Sequence, residues 1–143
     1  MQAVNPYLNL NGQIEEAFNF YKSVFGGEFA IVQRFKDVQD GGGKLPPSEL
    51  NKIMHIALPL GKGNMLMGTD ATEAMGFKIV VGNNLQICLS TDSEEETDKL
   101  YKGLSAGGEA TMPPAKMFWG AYFGQCTDKF GVLWMFSFDP NHH

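Results

Sequence analysis

Few side chains in this sequence are equipped for chemistry, and their spacing limits what they could do. His55 is the only histidine besides His142 and His143, a terminal pair that reads equally as a tag remnant and is left out of site reasoning. Beside Met54 and Ile56 on a strand-like stretch, it could act as a general base, but a surface or hydrogen-bonded histidine is the simpler reading. Cys88 could be a nucleophile, yet no base lies near it in sequence. Glu15-Glu16 and Glu94-Glu95-Glu96 read as solvated helix starts, where acidic side chains offset the dipole, and not as an acid–base pair. Gly41-Gly42-Gly43 matches a phosphate loop in composition alone, without the downstream Lys-Ser/Thr, and reads as a flap near a cavity mouth. A centre of two histidines and a carboxylate cannot be assembled from this inventory unless the terminal pair folds back.

What remains is a set of neutral polar, thioether and aromatic side chains, sorted onto faces by strand alternation. In Tyr7-Leu8-Asn9-Leu10-Asn11 the leucines should meet a helix, so Tyr7, Asn9 and Asn11 face a cavity. In Leu85–Ser90 the apolar Leu85, Ile87 and Leu89 pack on a helix and Gln86, Cys88 and Ser90 face inward. Trp134 and Phe136 take the helix side of the last strand, leaving Leu133 and Met135 toward the cavity. Met65 and Met67 share one face of their strand. Together with Trp119, the expected lining is Tyr7, Asn9, Met65, Met67, Gln86, Cys88, Trp119 and Met135. Such a mixture suits a small-molecule pocket. Each residue also has a plainer reading: Tyr7 as a core tyrosine with a satisfied hydroxyl, Asn9 and Gln86 as partners of each other or of buried water, the methionines and tryptophans as core.

The elements that would position these residues occur twice. Glu15, Glu16, Tyr21 and Lys22 recur 80 positions later as Glu95, Glu96, Tyr101 and Lys102, and Gly26-Gly27-Glu28 recurs 81 positions later as Gly107-Gly108-Glu109. Two copies of one unit, about 1–80 and 81–143, make a single domain and not a stacked array. In the first, a strand at 7–11 precedes an amphipathic helix of Ile14, Ala17, Phe18, Tyr21 and Phe25, closed by Gly26-Gly27. A strand over 29–35, a loop over 37–50, a strand over 52–60 and a Gly61-Lys62-Gly63-Asn64 hairpin into 65–69 follow. An irregular connector spans 70–83. In the second, Asp92 or Ser93 caps a helix, 109–111 is a short strand that Pro113-Pro114 breaks, and 117–127 and 131–138 form a hairpin around Asp128-Lys129-Phe130-Gly131. Each half thus reads βαβββ, and the fold class is α+β.

With 143 residues, 43% of them hydrophobic and 19% charged, the chain can bury a stable core as one domain. A net charge of −5 with no basic run excludes the usual nucleic-acid binder. No stretch reaches the ~18 apolar residues that span a membrane, and no signal peptide is visible, so a cytoplasmic protein with Cys88 and Cys126 reduced is expected.

Three segments resemble the vicinal oxygen chelate superfamily of glyoxalases, extradiol dioxygenases and bleomycin-resistance proteins, and within it the PhnB-like group. They are Tyr7-Leu8-Asn9-Leu10-Asn11-Gly12 with Glu15-Glu16-Ala17 and Phe20-Tyr21; Met65-Leu66-Met67-Gly68-Thr69-Asp70; and Trp119-Gly120 with Asp128-Lys129-Phe130-Gly131-Val132-Leu133-Trp134. The resemblance covers essentially the whole chain. It implies the glyoxalase/bleomycin resistance fold, two βαβββ modules with curled mixed sheets, and a homodimer in many members. Members chelate a divalent metal or bind a small molecule without one. The positions similar to metal ligands hold Tyr7, Met67, Gln86 and Met135, which carry no His, Asp or Glu. Such donors would bind zinc or a hard cation poorly, so no metal and no cofactor is expected. The leading expectation is a binding protein for a small molecule. A metal-dependent lyase or isomerase of the glyoxalase type, and a structural homodimer with no ligand, are the alternatives.

Overall fold

The computed structural model describes residues 1–38 and 45–141. The Gly41–Gly43 flap and His142-His143 therefore lie outside the described residues. The chain forms two compact units, Met1–Val80 and Val81–His143. Among the described residues each unit is one βαβββ module.

The first module runs β1 (Tyr7–Leu10), α1 (Ile14–Phe25), β2 (Ile31–Arg34), β3 (Ile53–Gly61) and β4 (Asn64–Asp70). Its sheet order is β1-β4-β3-β2, with β1 parallel to β4 and the other pairs antiparallel. The second runs β5 (Ile87–Ser90), α2 (Glu94–Ser105), β6 (Glu109–Lys116), β7 (Tyr122–Thr127) and β8 (Leu133–Phe138), in the order β5-β8-β7-β6 with β5 parallel to β8. The two modules thus share one mixed topology.

In each module the helix covers one face of the sheet. Helix α1 buries Ile14, Ala17, Phe18 and Tyr21, all with no exposed surface, against Leu10, Ile56, Leu58 and Leu66 from the sheet. Each large side chain so buried contributes about 1.5–3 kcal/mol. The approach is close at Gly68: a Cβ there would sit 2.9 Å from both Ile14 Cδ1 and Phe18 Cε1. The start of α1 has no side-chain cap of its own. Asp70, buried at the end of β4, supplies one from across the module. Its Oδ1 accepts the Ile14 N–H at 3.0 Å, and its Oδ2 accepts the Ile53 N–H at 2.8 Å. One carboxylate therefore ties the helix, β3 and β4 together.

Helix α2 is capped locally by Ser93, whose Oγ accepts the Glu96 N–H at 3.0 Å. Glu96 returns a bond from its carboxylate to the Asp92 N–H. Beneath α2 lie Trp134, Phe136 and Cys126, all buried, as strand parity predicts for the first two. Asp128 organises the β7–β8 turn. Its Oδ1 accepts the Phe130 and Val132 N–H groups, and its Oδ2 accepts Trp134 Nε1–H at 2.8 Å. The β3–β4 hairpin turns at Lys62 (φ 53°) and Gly63 (φ 81°), between the paired Gly61 and Asn64. Two consecutive positive φ values are what a type I′ two-residue turn requires.

Two expectations fail in the second module. Pro113-Pro114 does not break the strand after Glu109; β6 continues to Lys116. It is the outer strand of its sheet, and its pairing with β7 slips between Glu109 and Met112 and again between Met112 and Ala115. An edge strand with bulges tolerates the two missing N–H donors. Met117 is not the start of the next strand either. Residues 117–121 form the turn, and β7 begins at Tyr122. In the first module, the extended run expected to reach Phe35 stops at Arg34, where a 3-10 turn, Phe35–Asp37, begins.

Candidate functional site

Alternation leaves one face of each sheet free of its own helix. In the first module that face carries Tyr7 and Asn9 from β1, Met65, Met67 and Thr69 from β4, and His55 and Ala57 from β3. Tyr7 stands opposite Met67 and Asn9 opposite Thr69, while Met67 also pairs with Ala57. His55 stands opposite Gln33 of β2. The face is therefore banded: Tyr7, Met67, Ala57 and Ile31 in one row, and Asn9, Thr69, His55 and Gln33 in the next.

The phenol of Tyr7 meets Nδ1 of His55 at 3.2 Å, and the two rings stack with centroids 5.7 Å apart. His55 is thus a paired histidine. Burial pushes the Tyr7 phenol above its ordinary value, partly offset by the Thr69 hydroxyl. It is a neutral hydrogen-bonding group at physiological pH.

At one end of this face lies a cleft of ≈ 280 Å³, bounded by Asn9, Phe35, Leu45, Thr69, Asp70, Ala71, Met75 and Phe77. Asn9 is the one expected lining residue in it. Phe35 comes from the 3-10 turn after β2, and Met75 from a second 3-10 turn, Glu73–Met75. Phe77 follows, with its N–H donated to the Thr72 carbonyl at 3.0 Å. The sequence pattern reads Phe35 as a strand end, and Met75 and Phe77 as connector. Their one sequence signal is an apolar residue beside turn formers, which is too common to single out.

In the second module the helix-free face carries Cys88, Met135 and Gln125 in one row and Ser90, Ser137 and Phe123 in another. Gln86 and Met135 are not brought level. Cys88 is the partner of Met135, and Gln86 precedes β5. Trp119 sits in the β6–β7 turn, 54% exposed, with its ring edge-on to Phe123 at 5.8 Å and to Phe118 at 4.9 Å. Partial burial raises the Cys88 thiol, and burial together with Asp128 pushes Cys126 up to about 12. Both stay protonated at neutral pH and are weak nucleophiles.

The donor set does not fit a divalent metal. Tyr7 is a protonated phenol, Gln86 a neutral amide, and Met67 and Met135 thioethers. Zinc and harder cations want thiolate, imidazole or carboxylate ligands. Among the described residues no three His, Cys, Asp or Glu side chains cluster as a metal site would need.

Residues 2–137 match the family model of 3-demethylubiquinone-9 3-methyltransferases. The chain belongs to that family. Its PhnB-like character and its glyoxalase/bleomycin resistance/dioxygenase fold are both established by its relatives. Protein PA1353 of Pseudomonas aeruginosa has 32% identity over 97% of this chain and 98% of that protein, with a TM-score of 0.83. The PhnB protein of Bacillus cereus has 26% identity over 96% of this chain and 99% of that one, with a TM-score of 0.74. Protein YjdN of Escherichia coli (strain K12) has 26% identity over 94% of this chain and 93% of its own length. A glyoxalase-related enzyme from Fulvimarina pelagi, at 19% identity and a TM-score of 0.65 over 98% of this chain and 90% of that one, shares the fold. No helix among the described residues of this family member is long and apolar enough to cross a membrane.

Proposed function

We propose that this PhnB-like chain is a metal-free binding protein that holds a small, partly apolar molecule on the helix-free faces of its modules. The cleft of ≈ 280 Å³ beside Asn9 and Thr69 carries the reading. It joins two neutral hydrogen-bonding side chains to apolar walls, the usual make-up of a ligand pocket. Tyr7, Met65 and Met67 extend the surface in the first module, and Gln86, Cys88, Trp119 and Met135 offer the counterpart in the second. We further propose a cytoplasmic homodimer.

The test joins metal content to ligand screening on purified, untagged protein. Elemental mass spectrometry should find far less than one equivalent of Zn, Ni, Mn, Fe or Co per chain. A small-molecule screen by thermal shift should yield ligands whose effect survives EDTA. At a hundredfold excess over Kd a ligand adds about 2.7 kcal/mol, or several degrees of Tm. Near one metal equivalent, or EDTA-sensitive turnover, would overturn this reading in favour of a metal-dependent lyase or isomerase. The methyl transfer in the family description competes as well. A Tm rise with S-adenosylmethionine in the same screen would favour it.

A further inference from the structure

We propose that the first-module cleft takes an uncharged molecule of one or two aromatic rings bearing a single hydrogen-bonding group, such as a carboxamide, and turns carboxylates away. This rests on the binding reading above and names the class of its ligand.

The charge pattern of the cleft decides the class. Among the described residues no lysine or arginine lines it, and Asp70 is the one ionisable group there. The first N–H groups of α1 are where an anion would ordinarily settle, since they are unpaired and sit at the positive end of the helix. Here the Ile14 N–H is already taken by Asp70 Oδ1, and Oδ2 takes the Ile53 N–H. A carboxylate of the protein itself thus already holds the first of these donors. A ligand carboxylate would meet a carboxylate of like charge and find no partner for its own. The same two bonds, with Asp70 only 3% exposed, leave little of that carboxylate for a ligand cation.

The remaining groups ask for a neutral ligand. Asn9 is an exposed residue on β1, and its amide has no hydrogen-bonding partner among the described residues. It offers one carbonyl and one NH₂ to a ligand, a match for a carboxamide or hydroxyl. Thr69 holds its hydroxyl loosely, at 3.3 and 3.4 Å from the Ile53 and Asp70 carbonyls. Phe35, Leu45, Met75 and Phe77 supply the apolar walls. Phe77 is 55% exposed although its backbone is fixed by the bond to Thr72, so a flat ring laid on it removes apolar surface from water at little cost in order. The volume lies at the lower edge of ligand pockets, which run about 300–1,000 Å³, and admits one or two rings.

Three near-isosteric probes test this on the full chain: 2-naphthamide, 2-naphthoate and 2-naphthamidine, titrated by NMR with the amide signals of Thr69, Ala71 and Phe77 followed. The amide probe should shift these signals, with 2-naphthoate and 2-naphthamidine each at least about tenfold weaker, as expected when a charge is left without a partner. Asn9→Leu and Phe77→Ala alter exposed side chains, so the fold should persist. Each should weaken 2-naphthamide by roughly three- to tenfold, and Asn9→Leu should narrow its advantage over the charged probes. Equal or tighter binding of either charged probe at these signals overturns the ligand class and leaves the binding reading standing. No shift with any probe at millimolar concentration overturns the cleft as the site. Ligands from the thermal screen that shift only second-module signals would then keep the binding reading alive without it.

Discussion

Asp70 matters more to this chain than any residue with catalytic credentials. A carboxylate can accept two N–H bonds at once, and both oxygens do so here, from the first residue of α1 and the first of β3. An asparagine in its place would have one accepting oxygen and an NH₂ that faces a second donor. Asp70→Asn therefore leaves one buried backbone N–H without an acceptor, which costs about 1–3 kcal/mol. The urea midpoint should fall accordingly, with the slope unchanged. A midpoint equal to that of the parent would show that water or a shifted backbone satisfies the donor. In sequence Asp70 is only the last residue of a family segment, and nothing in local spacing marks a carboxylate that caps a helix 56 positions away. His55 is the reverse case. It attracts attention as the only internal histidine, and its structural partner, the stacked Tyr7, lies 48 positions distant. Periodicity predicts which face a side chain takes. It does not predict the partner it finds there.

Elements are far more legible than partners, because a helix or strand is encoded by residues close in sequence. The apolar spacing from Ile14 to Phe25 marks both ends of α1. Of the two cap candidates for α2, the structure selects Ser93, which accepts the Glu96 N–H while Glu96 reaches back to Asp92. Both bonds satisfy donors at a helix start that also gathers Glu94, Glu95 and Glu96. Ser93→Ala removes the first of them. It should lower stability by about 1 kcal/mol, within a range of roughly 0.5–2. Ser93→Asp should restore most of the loss, since a carboxylate also caps, and thermal unfolding of the pair checks both. If Ala were neutral, the tertiary pair of Thr91 and Thr97 hydroxyls, 2.6 Å apart, would be holding this end instead. Where element reading fails, the cause is position in the sheet. Pro113-Pro114 ends a central strand but not an edge strand, and edge status is a property of the assembled module. Register is likewise a property of paired strands: Cys88, not Gln86, stands level with Met135. A pattern of period two fixes the face of a residue and leaves its cross-strand partner open until the neighbouring strand is known. The cleft walls Met75 and Phe77 lie beyond reach for a related reason, since turns carry no period at all.

At the scale of the molecule, the internal repeat is a statement about topology. Both modules keep the same strand order with one parallel pair, although their helix-free faces differ. The first is hydrogen-bonding and banded; the second offers Cys88, Met135 and Phe123, flanked by an aromatic turn. Phe118 in that turn is 98% exposed, Trp119 beside it 54%, and Leu85 ahead of β5 80%. Isolated exposed apolar residues need no explanation, but a Phe-Trp pair at a turn tip exposes more apolar surface than solubility favours. Aromatic residues of this kind are typical anchors of protein interfaces. The homodimer proposal gives them a use. Light scattering after size exclusion should then report twice the 15.8 kDa of one chain. Phe118→Ser should shift the mass toward the monomer on dilution, with the far-UV spectrum unchanged because the side chain has no core to leave. A hot-spot aromatic is worth about 2 kcal/mol or more, so the dissociation constant should rise by roughly thirtyfold. A mass near one chain at the highest soluble concentration would sink the dimer. A dimer indifferent to Phe118→Ser would place its interface elsewhere and leave the aromatic turn for another partner.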